Sequence, residues 1–228
     1  MSRRLAGRAG STSSTGSCGS CPNSPVTLKS QHRIVLMGAS RVGKTSIISR
    51  FLYDKFHSSY KETIDEFHRT EYEISGEPLT LDIQDTTGSH EFPAMTELSI
   101  SNGDAFILVF DVSDEASFTE VAYLREKIMD IKNENSVPIV IVGNKTDVTE
   151  RALQREHIES TTRSDWGHGY IECSAKENNN ILEVFKELLV QAKIPFPLTE
   201  DLKRHRGSLP SSPKSKRALQ NQASCTIS

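Results

Sequence analysis

Long apolar runs are scarce in this chain of 228 residues. The longest uninterrupted one is Ala105–Phe110. A helix crossing a bilayer needs about 20 apolar residues, so no transmembrane helix is expected. No apolar core follows Met1, so a secretory signal is not expected either. Cysteine is equally sparse, at four residues. Cys18-Gly19-Ser20-Cys21 has no partner pair, which argues against zinc and leaves acylation or plain disorder. Cys173 falls in a stretch that reads as a buried strand, where a thiol packs as a small hydrophobe. The seven histidines show no ligand spacing. His90 reads as a solvated loop residue, with water orientation as the alternative.

Charge of either sign is nearly balanced, at −3 for the chain, but it is divided unevenly. Residues 1–31 hold four basic side chains and no acidic ones, and residues 194–228 hold six basic and two acidic. Each arm is therefore +4, which leaves −11 for the middle. An acidic globular surface repels phosphates, so nucleic acid is not expected as a partner. The basic arms suit an anionic membrane leaflet. Hydrophobic periodicity is confined to 32–193, which is long enough for one complete core. The Ser-, Gly- and Arg-rich segment 1–31 and the Pro-, Ser- and Lys/Arg-rich segment 194–228 are expected to be disordered.

Within the middle, apolar patterning predicts strands at 32–37, 66–74, 79–85, 105–111, 137–143 and 169–173. Ile181, Val184, Phe185, Leu188, Leu189 and Ala192 recur at helical spacing and predict a helix over 180–193. Ser117 and Glu120 form a capping-box pattern ahead of Val121, Leu124, Ile128 and Ile131. Such stripes are core. Strands alternating with helices, and apolar throughout, imply an α/β fold with a mostly parallel six-stranded sheet and helices on both faces. Segment 66–85, turning around Ser75-Gly76-Glu77, supplies one antiparallel edge strand.

Chemistry enters at 38–45, Gly-Ala-Ser-Arg-Val-Gly-Lys-Thr, directly after the apolar strand ending at Met37. This is a G-x-x-x-x-G-K-[ST] phosphate loop between a strand and a helix. Gly38 and Gly43 let backbone N–H groups turn inward around phosphates. Lys44 reaches the β and γ phosphates, and the Thr45 hydroxyl suits Mg²⁺. A second cue, Asn144-Lys145-Thr146-Asp147, follows the apolar run ending at Gly143, at a strand's carboxyl end where open α/β sheets bind ligands. The Asp147 carboxylate can accept from the N1 and N2 donors of guanine. Adenine lacks that pair and would leave a buried carboxylate unmatched. Asn144-Lys145-Thr146 also fits a glycosylation sequon, set aside because nothing else points to secretion.

Five segments in order resemble the Ras superfamily of small GTPases: 38–45, Thr63 within Tyr60-Lys61-Glu62-Thr63-Ile64, Asp85-Thr86-Thr87-Gly88, Asn144–Asp147, and Cys173-Ser174-Ala175-Lys176. The stretch 85–95 is similar to the Di-Ras branch, and Ser40-Arg41 with the basic tail is similar to the dexamethasone-induced Ras and Rhes branch. The resemblance implies a P-loop NTPase fold, a monomer, and GTP/GDP with Mg²⁺ as ligands. It also implies a phosphate site at Gly38, Ser40, Arg41, Val42, Gly43, Lys44, Thr45 and Ser46. Thr63 would add a second hydroxyl to Mg²⁺, with Asp85 behind it, and the Gly88 N–H would meet the γ-phosphate. Phe56 would cover one face of the base and Tyr60 would close over the phosphates. Asn144, Lys145, Asp147, Ser174, Ala175 and Lys176 would surround guanine. Lys44, Thr63, Gly88 and residue 89 are the catalytic candidates. Partner classes are an exchange factor, an activating protein and effectors, the last recruited by Tyr60, Thr63, Ile64, Asp65 and Glu66.

The chain departs from that pattern at four positions. Ser89 stands where the family has the glutamine that orients attacking water, and a serine hydroxyl is too short to replace it. For Ras, intrinsic hydrolysis is about 10⁻⁴ s⁻¹ even with that glutamine, and activating proteins raise it roughly 10⁵-fold. Slow hydrolysis is therefore expected. Ser40 would crowd the space an incoming arginine uses. Arg41 admits two readings, an arginine supplied in cis or a side chain pointing outward, and a residue fixed in the phosphate loop favours the second. Glu62 replaces the usual proline of the effector loop. Two function classes stay open: a cycling GTPase switch, or a GTP-loaded binding module. A nucleotide kinase is disfavoured by Asn144–Asp147 and the lack of a substrate lid.

Cys225-Thr226-Ile227-Ser228 fits a C-a-a-X box, with the serine favouring farnesylation of Cys225 by a prenyltransferase. One lipid chain binds only marginally. Lys203-Arg204-His205-Arg206 and Lys214-Ser215-Lys216-Arg217 supply the second signal, toward anionic lipids of the inner leaflet. The expected location is the cytoplasmic face of the plasma membrane, with a cytosolic pool.

Overall fold

The computed structural model describes residues 31–74, 77–88, 93–133 and 136–194. Six strands form one sheet: β1 (Gln31–Met37), β2 (Glu66–Ile74), β3 (Glu77–Asp85), β4 (Ala105–Asp111), β5 (Ile139–Asn144) and β6 (Gly169–Glu172). Their spatial order is β2-β3-β1-β4-β5-β6. Only β2 runs antiparallel, pairing with β3 from Glu66↔Asp85 to Ile74↔Glu77. The other neighbours are parallel.

Strands that contact helices on both faces must be apolar throughout, and β4 is buried along its whole length. Ala105, Ile107 and Val109 join a core with Ile47, Phe51, Phe185 and Leu188. Phe106, Leu108 and Phe110 face the other way, toward Ile100, Val121, Leu124 and Ile128. The first layer is covered by α1 (Lys44–Tyr53) and α5 (Ile181–Gln191), where Phe51 stacks on Phe185 at 3.7 Å between ring centroids. The second is covered by α2 (Pro93–Asn102), α3 (Glu115–Lys132) and the short α4 (Arg155–Ser160), which runs into a π-helical stretch at Thr161–Asp165.

The patterning located every strand, but the helix start near Ser117 needs correction. Helix α3 begins at Glu115, and Asp114 is its N-cap, with Oδ1 accepting from the Ala116 N–H at 3.0 Å. Aspartate caps as well as serine, and Glu115 in the first turn suits the positive end of the helix. Ser117 is buried instead: its hydroxyl accepts from the Asp111 N–H and donates to the Asp114 carbonyl, closing the corner after β4. Among the described residues no helix is long and apolar enough to cross a membrane.

Candidate nucleotide site

The carboxyl ends of β1, β3 and β5 sit on one edge of the sheet, and every loop singled out above leaves from that edge. After β1 the chain wraps through 38–43 into α1, whose first-turn N–H groups carry partial positive charge. Lys44 folds back into this wrap, its Nζ donating to the carbonyls of Gly38 (2.8 Å) and Ala39 (2.9 Å). It is 6 % exposed, and burial pulls its pKa down to about 8 against the attraction of Asp85 and Asp65. Gly43 has φ 100, and a Cβ there would run into the Asn144 carboxamide. Glycine is required on both counts.

Three oxygen-bearing side chains from separate segments converge beside this wrap. The Thr45 hydroxyl donates to Asp85 Oδ2 at 2.6 Å and lies 2.8 Å from the Thr63 hydroxyl. Asp85 is fully buried, and its Oδ1 has no hydrogen-bond partner. Burial pushes its carboxyl up, opposed by the Thr45 hydrogen bond and by Lys44. Two hydroxyls and a carboxylate with a free oxygen are a hard donor set of the kind Mg²⁺ takes, so the residues present fit that ion. Among the described residues no group of three His, Cys, Asp or Glu side chains offers an alternative metal site. Gly88 packs so close to Ala39 and Ser40 that a Cβ would clash with their backbone, so glycine is required there.

The opposite end of the site is built from 144–147 and 173–176. Asn144 is nearly buried and acts as a strut: its Nδ2 donates to the Val42 carbonyl, and its Oδ1 accepts from the Ala175 N–H. Lys145, in a left-handed backbone conformation, pairs with Asp111 at 2.6 Å. Asp147 accepts from the Ser174 hydroxyl at 2.7 Å and lies 3.3 Å from the Lys176 ammonium. Burial works to raise the Asp147 carboxyl, but those partners outweigh it and hold the group below the usual carboxylate range. Asp147 is thus kept ionised, ready to accept hydrogen bonds.

A cavity of about 910 Å³ joins these parts. Its lining includes Ser40, Arg41, Gly43, Lys44, Thr45, Ser46, Phe56, Tyr60, Thr63, Gly88, Asn144, Lys145, Asp147, Ala175 and Lys176. Gly38, Val42, Asp85 and Ser174 stand behind it as support, through the contacts above. Ile64 is 83 % exposed outside the cavity. Of the two acidic effector-loop candidates, the Asp65 carboxylate turns in to accept from the Thr87 N–H at 2.8 Å, while Glu66 stays exposed. Arg41 points outward, its guanidinium over the Tyr60 ring. Ser89, Cys225, Cys18 and Cys21 lie outside the described residues.

Two contributors were not legible in the sequence. Arg50, near the end of α1, donates through Nε to the Ala175 carbonyl (2.7 Å) and through Nη2 to the Lys176 carbonyl (2.8 Å), while lying 5.6 Å from the Phe56 ring centroid. Asp111 anchors Lys145, and its carboxyl is held down: burial raises it, but Lys145 and Ser113 outweigh that. Neither sits in a recognisable motif. The one hint for Asp111 is a charged residue ending an otherwise apolar strand.

The family model described as Ras family matches residues 33–194. Among curated proteins, human GTP-binding protein Rhes is 43% identical over 189 residues, covering 78% of this chain and 71% of that protein. Mouse GTP-binding protein Di-Ras1 is 38% identical, covering 87% of this chain and 97% of that protein. Mouse GTP-binding protein Di-Ras2 is 41% identical, with coverage of 70% and 81%.

Proposed function

The chain belongs to the Ras family, and from that membership and the site geometry we propose a membrane-anchored signalling switch with slow GTP hydrolysis. Ras-family proteins bind GTP and GDP with Mg²⁺, hydrolyse GTP, and work with exchange factors, activating proteins and effectors. The observation that carries slow turnover is Ser89, directly after Asp85-Thr86-Thr87-Gly88.

Residue roles follow from the contacts. Lys44, aimed by its two carbonyl partners, would meet the β and γ phosphates, whose negative charge favours its ammonium form. The Gly88 N–H would meet the γ-phosphate. Thr45 and Thr63 would hold Mg²⁺, with Asp85 behind them accepting from the Thr45 hydroxyl, and the ion when bound neutralises charge on the phosphates. Asp147 accepts from the guanine N1 and N2 donors while Ser174 and Lys176 fix its orientation. Phe56, held under Arg50, covers one face of the base. No side chain in this set supplies the glutamine's reach to an attacking water.

Effectors would read the loop 60–66 and the edge strand β2, where Ile64 and Phe67 are 83 % and 60 % exposed. An extended partner segment can add to that edge, drawn by Glu66 if it is basic. Farnesylation of Cys225 plus the two basic clusters would hold the protein on an anionic inner leaflet, leaving a cytosolic pool. The test has two arms. Single-turnover hydrolysis of loaded GTP should run below about 10⁻⁴ s⁻¹, and protein purified from cells should carry mostly GTP. Turnover at the Ras rate with mostly GDP bound would remove the slow-switch reading. Hydrolysis below detection would make the protein a GTP-loaded binding module. In fractionated cells, Cys225→Ser should move the protein from membrane to cytosol. An unchanged membrane fraction would count against the anchor.

A further inference from the structure

We propose that Arg41 is a positioning residue that clasps Tyr60 across the mouth of the nucleotide cavity and slows nucleotide release. The proposal rests on that cavity being the GTP/GDP site. The Arg41 guanidinium lies 4.9 Å from the Tyr60 ring centroid, inside the range of about 6 Å in which a cation is attracted to an aromatic face. Arg41 belongs to the phosphate loop, and Tyr60 belongs to the segment that covers it.

A second observation concerns the backbone. Arg41 has φ 64, in the left-handed region that glycine occupies freely and a residue with a Cβ does not. An arginine held there at a conformational cost is best accounted for by what its guanidinium touches.

The third observation is the covering segment itself. Residues 54–65, between α1 and β2, have no helix or strand to hold them. Contacts with the rest of the domain fix the segment instead. Phe56 lies under Arg50, Thr63 meets Thr45, and Asp65 accepts from the Thr87 N–H. Tyr60, 57 % exposed, stands midway between the Phe56 and Thr63 attachments, and Arg41 fastens it there. Both partners of the clasp belong to the chain, so it needs no γ-phosphate. It is therefore available with GDP as well as with GTP. Nucleotide leaves only when the clasp opens.

The experiment follows release of fluorescent mant-GDP from the full-length protein into excess GDP. Arg41→Ala keeps a Cβ, so its backbone penalty stays close to that of arginine and the change reports the guanidinium. An exposed cation–aromatic contact corresponds to about 2- to 5-fold in a rate, so Arg41→Ala and Tyr60→Leu should each accelerate release by that factor. Because they remove the same contact, the double variant should release no faster than either single one. Tyr60→Trp offers a stronger face to the cation and should slow release with Arg41 present, but not in the Arg41→Ala background. Release from Arg41→Ala at the parent rate, single effects that multiply in the double variant, or slowing by Tyr60→Trp in both backgrounds would each overturn the clasp. Failure of the parent protein to bind mant-GDP at all would strike the nucleotide-site reading first.

Discussion

Asn144 and Val42, 102 residues apart in sequence, are joined by a hydrogen bond of 2.8 Å from the Asn144 carboxamide to the Val42 carbonyl. The 144–147 and 173–176 segments are thereby tied to the 38–43 loop, since Asn144 also accepts from the Ala175 N–H. Asn144→Ala leaves both backbone groups buried without a partner. At about 1 kcal/mol or more for each group, GDP release should accelerate by at least about 30-fold. A mant-GDP chase measures this, and an unchanged rate would remove Asn144 from the site's framework.

Arg50 makes the corresponding tie from α1 to Ala175 and Lys176, under Phe56. Charge-assisted hydrogen bonds contribute about 1.5–3 kcal/mol, so Arg50→Ala should raise GDP release by roughly 10-fold or more. Arg50→Lys keeps the charge but loses the planar fork that reaches two carbonyls at once, so it should restore little. Full rescue by lysine would mean that charge alone matters at this position.

Ser89→Gln restores a side chain long enough to orient water. Intrinsic hydrolysis should rise to about 3–5 × 10⁻⁴ s⁻¹, the range of Ras itself. The check is single-turnover release of phosphate. A rate that does not move would place the limitation at Ser40 instead, and Ser40→Gly is then the variant to compare.

His168, next to β6, is held neutral: burial, with help from nearby Arg125, lowers its pKa from 6.5 to about 4. Its Nε2 is buried without a hydrogen-bond partner. The unfolded chain binds this proton at a higher pH than the folded one, so the contribution is complete above pH 6.5 and is lost as pH falls toward 4. The ring is only partly buried, so with solvent screening the loss between pH 7 and 5 is on the order of 1 kcal/mol. Urea unfolding at the two pH values should show His168→Gln losing that much less stability than the parent protein. Parallel pH dependence of the two would mean that His168 does not titrate in this window.

Much of the fold was readable because its signals are local. β4 and β5 are buried along their length and apolar up to their last residues since each contacts helices on both sides, and Ile181–Leu189 shows a helical stripe because only one face of α5 meets the sheet. The start of α3 was misread for a local reason as well: Asp114 and Ser117 are both good caps, and burial of Ser117 against Asp111 decided between them. In the site, the glycine wrap and the Thr45 and Asp147 chemistry were legible because they sit in short segments of fixed spacing.

The sequence by itself determined which chemical groups exist and in what order the strands and helices carry them. That followed from side-chain periodicity and turn chemistry, which act over a few residues. The tertiary structure decided which groups meet: Arg50 with Ala175 across 125 residues of chain, Asp111 with Lys145, Asp65 with the Thr87 N–H, and Arg41 with Tyr60. The physical reason is the sheet order. Setting β3, β1, β4 and β5 side by side brings their carboxyl ends to one edge, and the loops leaving that edge touch because of where the strands lie, whatever their separation along the chain.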